Sequence, residues 1–327
     1  MKRFKDILCV VETGKACEPS LERAVTLAKN NQANLTVVEV IDRVTARLGM
    51  SDGGPISAHL QTAMVSAHTQ TLEALVAPYR KRIEIQTKLL MGVPFLEIIR
   101  KLLRDGHDLV IKIPESVDWL DRFFGSDDMH LLRKCPCPVW LIKPEKLKSY
   151  RRILAAVDFG EADLPAEVES QKAVNRQIIE MASSLAVSDF AELQVVHAWD
   201  AIGESLLRGG AFMSSPEEQV STYVEQVRLR HKVALDGLMR EVTSELGRDA
   251  MEYLKPQTHL VKGEARKEIP ALAERIEADL IVMGTVARTG IPGFIVGNTA
   301  ETILNQIDCS VLAIKPPGFE TPVTLQG

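Results

Sequence analysis

Short apolar runs alternate along the chain with longer stretches in which apolar residues recur every three or four positions. The short runs are rich in Val, Ile and Leu, and in the second half they cover 152–157, 192–199, 257–262, 279–284 and 310–315. Runs such as LIVM and VLAI show no alternation, which is typical of strands that are covered on both faces. The longer stretches predict helices at 166–185, 215–245, 265–276 and 298–306.

The first half of the chain carries the same pattern as the second. The matched segments are FKDILCVVE (4–12) with YRRILAAVD (150–158), LTVVEVID (35–42) with LQVVHAWD (193–200), HDLVIK (107–112) with ADLIVM (278–283), and CPVWLIKP (137–144) with CSVLAIKP (309–316). Gly92 and Gly263 each end a strand-like run and precede a helix-like one. Because each copy has the length of a whole domain, we predict an N-terminal domain at 1–146 and a C-terminal domain at 147–327.

Strand–helix alternation predicts an α/β fold with a parallel sheet and helices on both of its faces. Right-handed crossovers then make each sheet doubly wound. Sheets of this kind bind ligands at the carboxyl ends of their strands, where the strand order reverses. We therefore expect the functional site at that edge.

Composition narrows the range of functions. The net charge of −5 argues against general nucleic-acid binding, because such proteins are usually basic. The basic start of the chain is followed by too short an apolar run for a signal peptide, and no run approaches the length of a membrane helix. We expect a cytoplasmic protein whose five cysteines stay reduced.

The segment from Gly284 to Ile303, GTVARTGIPGFIVGNTAETI, follows the fourth predicted strand of the second half. A helix is predicted to begin near Asn298, with Asn298 as its cap and Glu301 closing a variant of the capping box. Free N–H groups at a helix N-terminus favour an anion, and glycines let the backbone approach it closely. Arg288 adds a charge that suits phosphate oxygens. The alternative is an ordinary connection between a strand and a helix.

This segment resembles the nucleotide loop of universal stress proteins, G-x2-G-x9-G-[ST], and the resemblance extends over nearly the whole chain, twice. It implies two five-stranded parallel sheets of order 3-2-1-4-5, flavin- and nucleotide-binding-like, that pair through their last strands into an internal pseudo-dimer. It also implies a bound ATP or another adenine nucleotide in the second half. The residues that match the family's site are Val157, Asp158, Ala198, Met283, Gly284, Ala287, Arg288, Gly297, Asn298 and Thr299.

The match to the motif is incomplete in both halves. Ala287 stands where the family has its second glycine, and Asn298 stands where Ser or Thr is usual. In the first half, Ile113 replaces the first glycine and Glu12 replaces the aspartate at the end of the first strand. Acidic residues in the same segment would repel phosphate, so we predict no nucleotide in the first half.

Other candidate chemistry is weaker. Cys135 and Cys137 have one residue between them, whereas common zinc and redox motifs have two, and two free thiols beside a buried strand are the expected state. His197 lies in a predicted strand and is expected in the core or the cleft. No catalytic constellation and no metal site are found, which favours a stress-response protein that binds nucleotide without being an enzyme. Two alternatives stay open, a binder of an apolar or lipid-like molecule and a slow ATPase using Asp158. An unidentified protein partner and further homodimerisation are also compatible with the sequence.

Overall fold

The computed structural model describes residues 4–43, 55–114, 127–144, 149–160, 165–209, 217–285 and 297–325. They fall into two compact units. The first unit contains the described residues up to Pro144 together with those from Cys309 onward. The second unit contains those from Ser149 to Thr285 and from Gly297 to Asp308.

The first unit has six strands and four α-helices among the described residues. The strands are β1 (Asp6–Val10), β2 (Asn34–Ile41), β3 (Ile85–Met91), β4 (Leu109–Lys112), β5 (Val139–Leu141) and, from the end of the chain, β10 (Ser310–Ile314). The helices are α1 (Glu18–Asn31), α2 (Pro55–Val76), α3 (Pro94–Asp105) and α4 (Asp127–Lys134), with a short 3-10 helix at Tyr79–Lys81.

The sheet of the first unit has the order β3-β2-β1-β4-β5-β10. The first five strands are parallel to their neighbours, which confirms the predicted 3-2-1-4-5 order. β10 runs antiparallel to β5, with Leu312 opposite Trp140. This is the pairing of last strands that the family resemblance implies. The fifth strand predicted for the second half thus belongs to the first unit by its contacts.

The second unit has four strands and six helices among the described residues. The strands are β6 (Arg152–Ala156), β7 (Glu192–Trp199), β8 (Gln257–Lys262) and β9 (Leu280–Gly284). The helices are α5 (Pro165–Asp189), α6 (Glu204–Gly209), α7 (Glu217–Leu246), α8 (Arg248–Leu254), α9 (Ala265–Arg275) and α10 (Asn298–Leu304). The strands are parallel in the order β9-β6-β7-β8. The predicted strands and long helices are confirmed, whereas the short helices α6 and α8 were not predicted.

Strand interiors form the core, because helices cover both faces. Ile7, Leu8 and Cys9 of β1 are fully buried, as are Ile153 and Leu154 of β6. This continuous burial explains the absence of polar–apolar alternation in the sequence. No helix within the described ranges combines the length and the apolar composition needed to span a membrane.

Both units turn at a glycine after their third strand. Gly92 has φ of +138° and Gly263 has φ of +137°, a region that side chains rarely adopt. A Cβ atom on Gly263 would lie 2.8 Å from Cγ of Glu268. The two glycines therefore serve the backbone turn and its tight packing against the following helix.

Candidate functional site

The second unit contains a cavity of about 240 Å³ at the carboxyl ends of β6, β7 and β9. This is the edge where parallel sheets bind ligands. Most of the lining is apolar, and the polar side chains in it are Asp158, Gln171, Asn175, Thr285 and Thr299. The other lining residues are Ala156, Val157, Val174, Ile178, Ala198, Ala265, Ile269, Met283, Gly284, Gly297, Ala300 and Ile303.

Helix α5 supplies one wall of the cavity through a single face. Gln171, Val174, Asn175 and Ile178 follow the spacing that places residues one above another on a helix. Val174, Asn175 and Ile178 are buried. Gln171 and Asn175 are two amide side chains on an otherwise apolar helix face. This pattern is visible in the sequence and points to the site, although the family motif does not include it.

Asn175 ties the end of β6 to α5. Its Oδ1 accepts a hydrogen bond from the Asp158 N–H at 3.0 Å, and its Nδ2 donates to the Asp158 carbonyl at 2.5 Å. Gln171 Nε2 donates to the same Oδ1 at 3.3 Å. Both backbone groups of Asp158 are therefore held, while the residue itself is exposed. The backbone of Asp158 is thus fixed at the rim of the cavity, and its carboxylate is accessible there.

Gly284 is the last residue of β9 and lies against α5. A Cβ atom there would meet Cγ1 of Val174 at 3.1 Å, tighter than an ordinary contact. The absence of a side chain therefore serves the packing of β9 on α5. This role accounts for the first glycine of the motif independently of any ligand.

The end of the glycine loop differs from the expectation. Gly297, not Asn298, is the cap residue of α10, with φ of −56° and ψ of 136°, and no side chain caps the helix. Asn298 is already the first helical residue and is exposed, so the predicted Asn298 cap with its capping box is wrong. The N–H of Gly297 donates to the Thr285 carbonyl at 3.1 Å, which joins the two ends of the loop.

The structure brings together most of the site residues predicted from the sequence. Val157, Asp158, Ala198, Met283, Gly284, Gly297 and Thr299 all line the cavity. Asn298 does not line it, and Ala287 and Arg288 lie outside the described residues. Gln171, Asn175 and Thr285 were missed. None of the described lining residues carries a positive charge.

His197 lies beside the cavity wall but on the other face of β7 from Ala198, because neighbouring strand residues point to opposite faces. It is buried, and its Nδ1 donates to the Val157 carbonyl at 3.2 Å. Its Nε2 lies 2.8 Å from Nδ1 of His231. Burial lowers the pKa of His197, and the nearby His231 adds to this, against the opposing effects of Val157 and Asp158. His197 is thus a neutral core histidine.

The corresponding position of the first unit is filled by an ion pair. Lys112 ends β4 and matches Met283 in the repeat, and Asp128 of α4 matches Ala300. The Lys112 Nζ lies 2.5 Å from the Asp128 Oδ1, with the two side chains only 5% and 9% exposed. The positions of two apolar, cavity-lining residues in the second unit are therefore occupied by a buried salt bridge in the first unit. The prediction that the first half binds no nucleotide stays a prediction, and this ion pair is in its favour.

Among the described residues, no group of three or more His, Cys, Asp or Glu side chains is placed to hold a metal ion. Asp158 is the one titratable side chain among the described residues that line the cavity. The arrangement suits binding of a small, partly apolar molecule with hydroxyl groups that can donate to a carboxylate.

Comparison with known proteins places this architecture in a family. The chain is 29% identical to universal stress protein E of Escherichia coli (strain K12) over 333 residues, covering 99% of this chain and 98% of the relative. Its identity to universal stress protein E of Photorhabdus laumondii is 27%, with the same coverage.

Solved structures with a similar fold support the same assignment. A protein from Pseudomonas aeruginosa PAO1 superposes with a TM-score of 0.70 and 25% identity, covering 96% of this chain and 94% of that one. A universal stress protein from Archaeoglobus fulgidus shares the fold with a TM-score of 0.62 at 17% identity, covering 95% of this chain and 98% of that one. The profile of the universal stress protein family matches residues 3–143 and again 149–315. The chain therefore belongs to the universal stress protein family and carries two of its domains in tandem.

Proposed function

We propose that the second unit binds an adenine nucleotide, ATP or a relative of it, as a stress-response protein without catalytic turnover. The observation that carries the proposal is the cavity at the strand ends, with Asp158 at its rim and the backbone of that residue held by Asn175. The apolar wall of Val157, Ala198 and Met283 suits the faces of a purine base. Ribose hydroxyls can donate to the Asp158 carboxylate, a charge-assisted hydrogen bond.

The phosphates would extend toward Gly297 and Thr299, at the start of α10. Ala287 and Arg288 belong to the same proposal on the sequence match alone. The described cavity of about 240 Å³ lies below the usual range of roughly 300–1,000 Å³ for small-molecule sites. It therefore suits the nucleoside end of the ligand.

The proposal includes the absence of catalysis and a cytoplasmic location. Asp158 has no titratable neighbour within the described lining that would act as its acid or base partner. None of the five cysteines forms a disulfide, as is usual in a reducing compartment. The output would be a ligand-dependent change recognised by a protein partner, with or without further homodimerisation. A turnover assay with ATP, with Asp158→Ala as the control, distinguishes this proposal from a slow ATPase.

A second candidate is an apolar or lipid-like ligand. It is favoured by the mainly apolar lining and by the absence of a positive charge among the described lining residues. Organic extraction of the purified protein followed by mass spectrometry identifies such a ligand. A nucleotide is recognised instead by the ultraviolet absorbance of its base.

The test is calorimetric titration of ATP, ADP, AMP and adenosine into the full-length protein. Loss of hydrogen bonds to a charged group costs about 1.5–3 kcal/mol, so Asp158→Ala should weaken binding roughly tenfold to 150-fold. Ala198→Leu, which fills the cavity, should abolish it. The matched control is Glu12→Ala, the equivalent of Asp158 in the first unit, and it should leave the affinity unchanged.

Three results would overturn the proposal. They are no binding up to millimolar nucleotide, equal effects of Asp158→Ala and Glu12→Ala, or unchanged binding in Ala198→Leu. Co-purification of an apolar molecule that Ala198→Leu excludes would support the second candidate in its place.

A further inference from the structure

Two cysteine thiols face each other in the connection between α4 and β5. Cys135 is fully buried and Cys137 is 8% exposed, and their Sγ atoms lie 3.7 Å apart across Pro136. The backbone N–H of Cys135 donates to the Leu131 carbonyl at 2.9 Å, which fixes this residue at the end of α4. The two sulfur atoms are thus held near each other without being bonded.

A buried lysine lies in the same place. Lys315 follows β10 directly and is only 3% exposed. Its Nζ donates a hydrogen bond to the Leu132 carbonyl, in the last turn of α4, and lies 5.1 Å from the ring centroid of Phe319. The carbonyl end of a helix favours a cation, but a buried ammonium also needs a counter-charge.

Cys135 and Cys137 are the groups whose negative charge, when ionised, stabilises the Lys315 ammonium. Burial lowers the pKa of Lys315 to about 8, against the opposing influence of Cys135 and Cys137. For Cys135, burial raises the pKa, but the hydrogen bond from Cys137 and the positive charge of Lys315 outweigh it, so the pKa is lowered. Cys137 moves the other way, because burial and its neighbour both raise its pKa. The surroundings therefore favour Cys135 over Cys137 as the sulfur that loses its proton first.

A second pair of buried cysteines in the same unit has the opposite surroundings. Burial, with smaller contributions from Glu18, Glu39 and Glu12, raises the pKa of Cys17 to about 11. Burial and the neighbouring Cys17 raise the pKa of Cys9 as well. Both pairs are buried, but the first has an ammonium beside it and the second has carboxylates, so the charges around the two pairs have opposite sign.

We propose that Cys135 and Cys137 form a reversible disulfide on reaction with a small hydroperoxide, with Lys315 as the positioning residue that holds the Cys135 thiolate. The Cys135 sulfur attacks one peroxide oxygen and the O–O bond breaks, giving a sulfenic acid and hydroxide, which takes up a proton. The Cys137 sulfur then displaces the sulfenic hydroxyl, which leaves with the Cys137 proton as water. The two sulfurs lose two electrons in all, and hydrogen peroxide is reduced to two waters.

The geometry explains why this pair would react despite being buried. Reactive cysteines are usually accessible and lie in electropositive surroundings. Lys315 supplies the charge, and because Cys135 is covered, peroxide would reach it past Cys137, which is 8% exposed. Hydrogen peroxide is small enough for such a site, whereas a bulky disulfide oxidant is not. The sulfur pair lies two residues before β5, so the covalent change occurs next to the strand that pairs with β10.

The experiment exposes the full-length protein to hydrogen peroxide at pH 7, blocks remaining thiols with N-ethylmaleimide in denaturant, and maps peptides without reduction. Trypsin leaves Cys135 and Cys137 together in 135–146, and Cys9 and Cys17 in separate peptides. We expect 135–146 to lose two hydrogens and to regain them with dithiothreitol. A lowered pKa raises the thiolate fraction by more than it reduces the nucleophilicity of each thiolate. Because the pKa of Cys135 is lowered and those of Cys9 and Cys17 are raised, oxidation of 135–146 should be several-fold faster than that of the Cys9 and Cys17 peptides.

Lys315→Met tests the role of the charge, and Lys143→Met is its matched control, because Lys143 is the repeat equivalent of Lys315 and is only half-buried. Lys315→Met should slow the oxidation several-fold and Lys143→Met should not. Cys137→Ser should divert Cys135 to a sulfenic acid that dimedone traps. The proposal is wrong if 135–146 oxidises no faster than the Cys9 and Cys17 peptides, or if both lysine variants behave alike. The first comparison needs only the wild-type protein and stands even if Lys315→Met does not fold.

Discussion

The buried ion pair of Lys112 and Asp128 offers a direct test of how the two halves diverged. Lys112→Met and Asp128→Ala each remove one charge, and the double variant installs the two residues that the second unit has at Met283 and Ala300. With side chains only 5% and 9% exposed, neither charge has water to replace its partner. The two single variants and the double variant form a thermodynamic cycle.

The expected magnitudes follow from desolvation. Removing one partner of a buried pair leaves an uncompensated charge and costs about 3–5 kcal/mol of unfolding free energy. Replacing both partners with apolar residues removes that penalty and is often neutral or stabilising. Asp128→Ala also leaves unfilled volume, which offsets part of this gain. We therefore expect the double variant to be more stable than either single variant, with a coupling energy of about 3 kcal/mol or more.

Urea unfolding and native-state hydrogen exchange together provide the assay, since exchange in a peptide containing Leu109–Lys112 reports on β4 itself. The matched control is the exposed pair of Lys232 and Asp236 on α7, at 2.6 Å and with side chains 50% and 47% exposed. Lys232→Met should change stability by no more than about 0.5 kcal/mol. Single variants at Lys112 and Asp128 that cost as little as this control, or a double variant whose cost equals their sum, would refute the reasoning.

Two further predictions concern the second unit. Gly263→Ala should destabilise it by about 1–3 kcal/mol in urea unfolding, because of its positive φ and the contact with Glu268. Gly237→Ala is the control, since Gly237 lies in α7 with open space around it and should become slightly more stable; equal effects at both positions would contradict the account. Burial lowers the pKa of His197, so the folded protein binds fewer protons there. The contribution of neutral, buried His197 to folding stability is complete above about pH 6.5, the pKa of an unfolded histidine. It is lost as the pH falls toward the lowered pKa that His197 has in the folded protein. His197→Gln should therefore show a smaller loss of stability between pH 7.5 and 5.5 than the wild type, and an unchanged loss would show that His197 is not the group that titrates.

Most of the fold could be predicted because its signals are local. Apolar runs without alternation marked β6, β7 and β9 to within a residue or two, and the repeat extended the same elements to the first half. The short helices α6 and α8 were not predicted, because a helix of six or seven residues shows too little hydrophobic periodicity to be distinguished from a loop.

The candidate site was predictable only where it follows strand ends. The family resemblance led to Asp158, Met283, Gly284 and Gly297, because each can be matched to the family's pattern at or after a recognisable strand. Asn175 was missed because it is 17 residues from Asp158 along the chain and meets it only when α5 packs on the sheet. The prediction that Asn298 caps the helix was wrong because a suitable side chain does not determine where the helix begins. The cap is the last residue with extended backbone, and that residue is Gly297.

The sequence by itself determined the α/β class, the internal repeat and the edge of the sheet where a site must lie, since these follow from hydrophobic pattern and chain connectivity. Its resemblance to the universal stress protein family implied the strand order within each half. Only the tertiary structure decided that Lys112 and Asp128 form a buried ion pair at the positions of Met283 and Ala300, and that Lys315 lies with Cys135 and Cys137. In each of these cases the partners are far apart in the chain or come from different repeats. Their interaction depends on burial and distance, which the order of residues does not state.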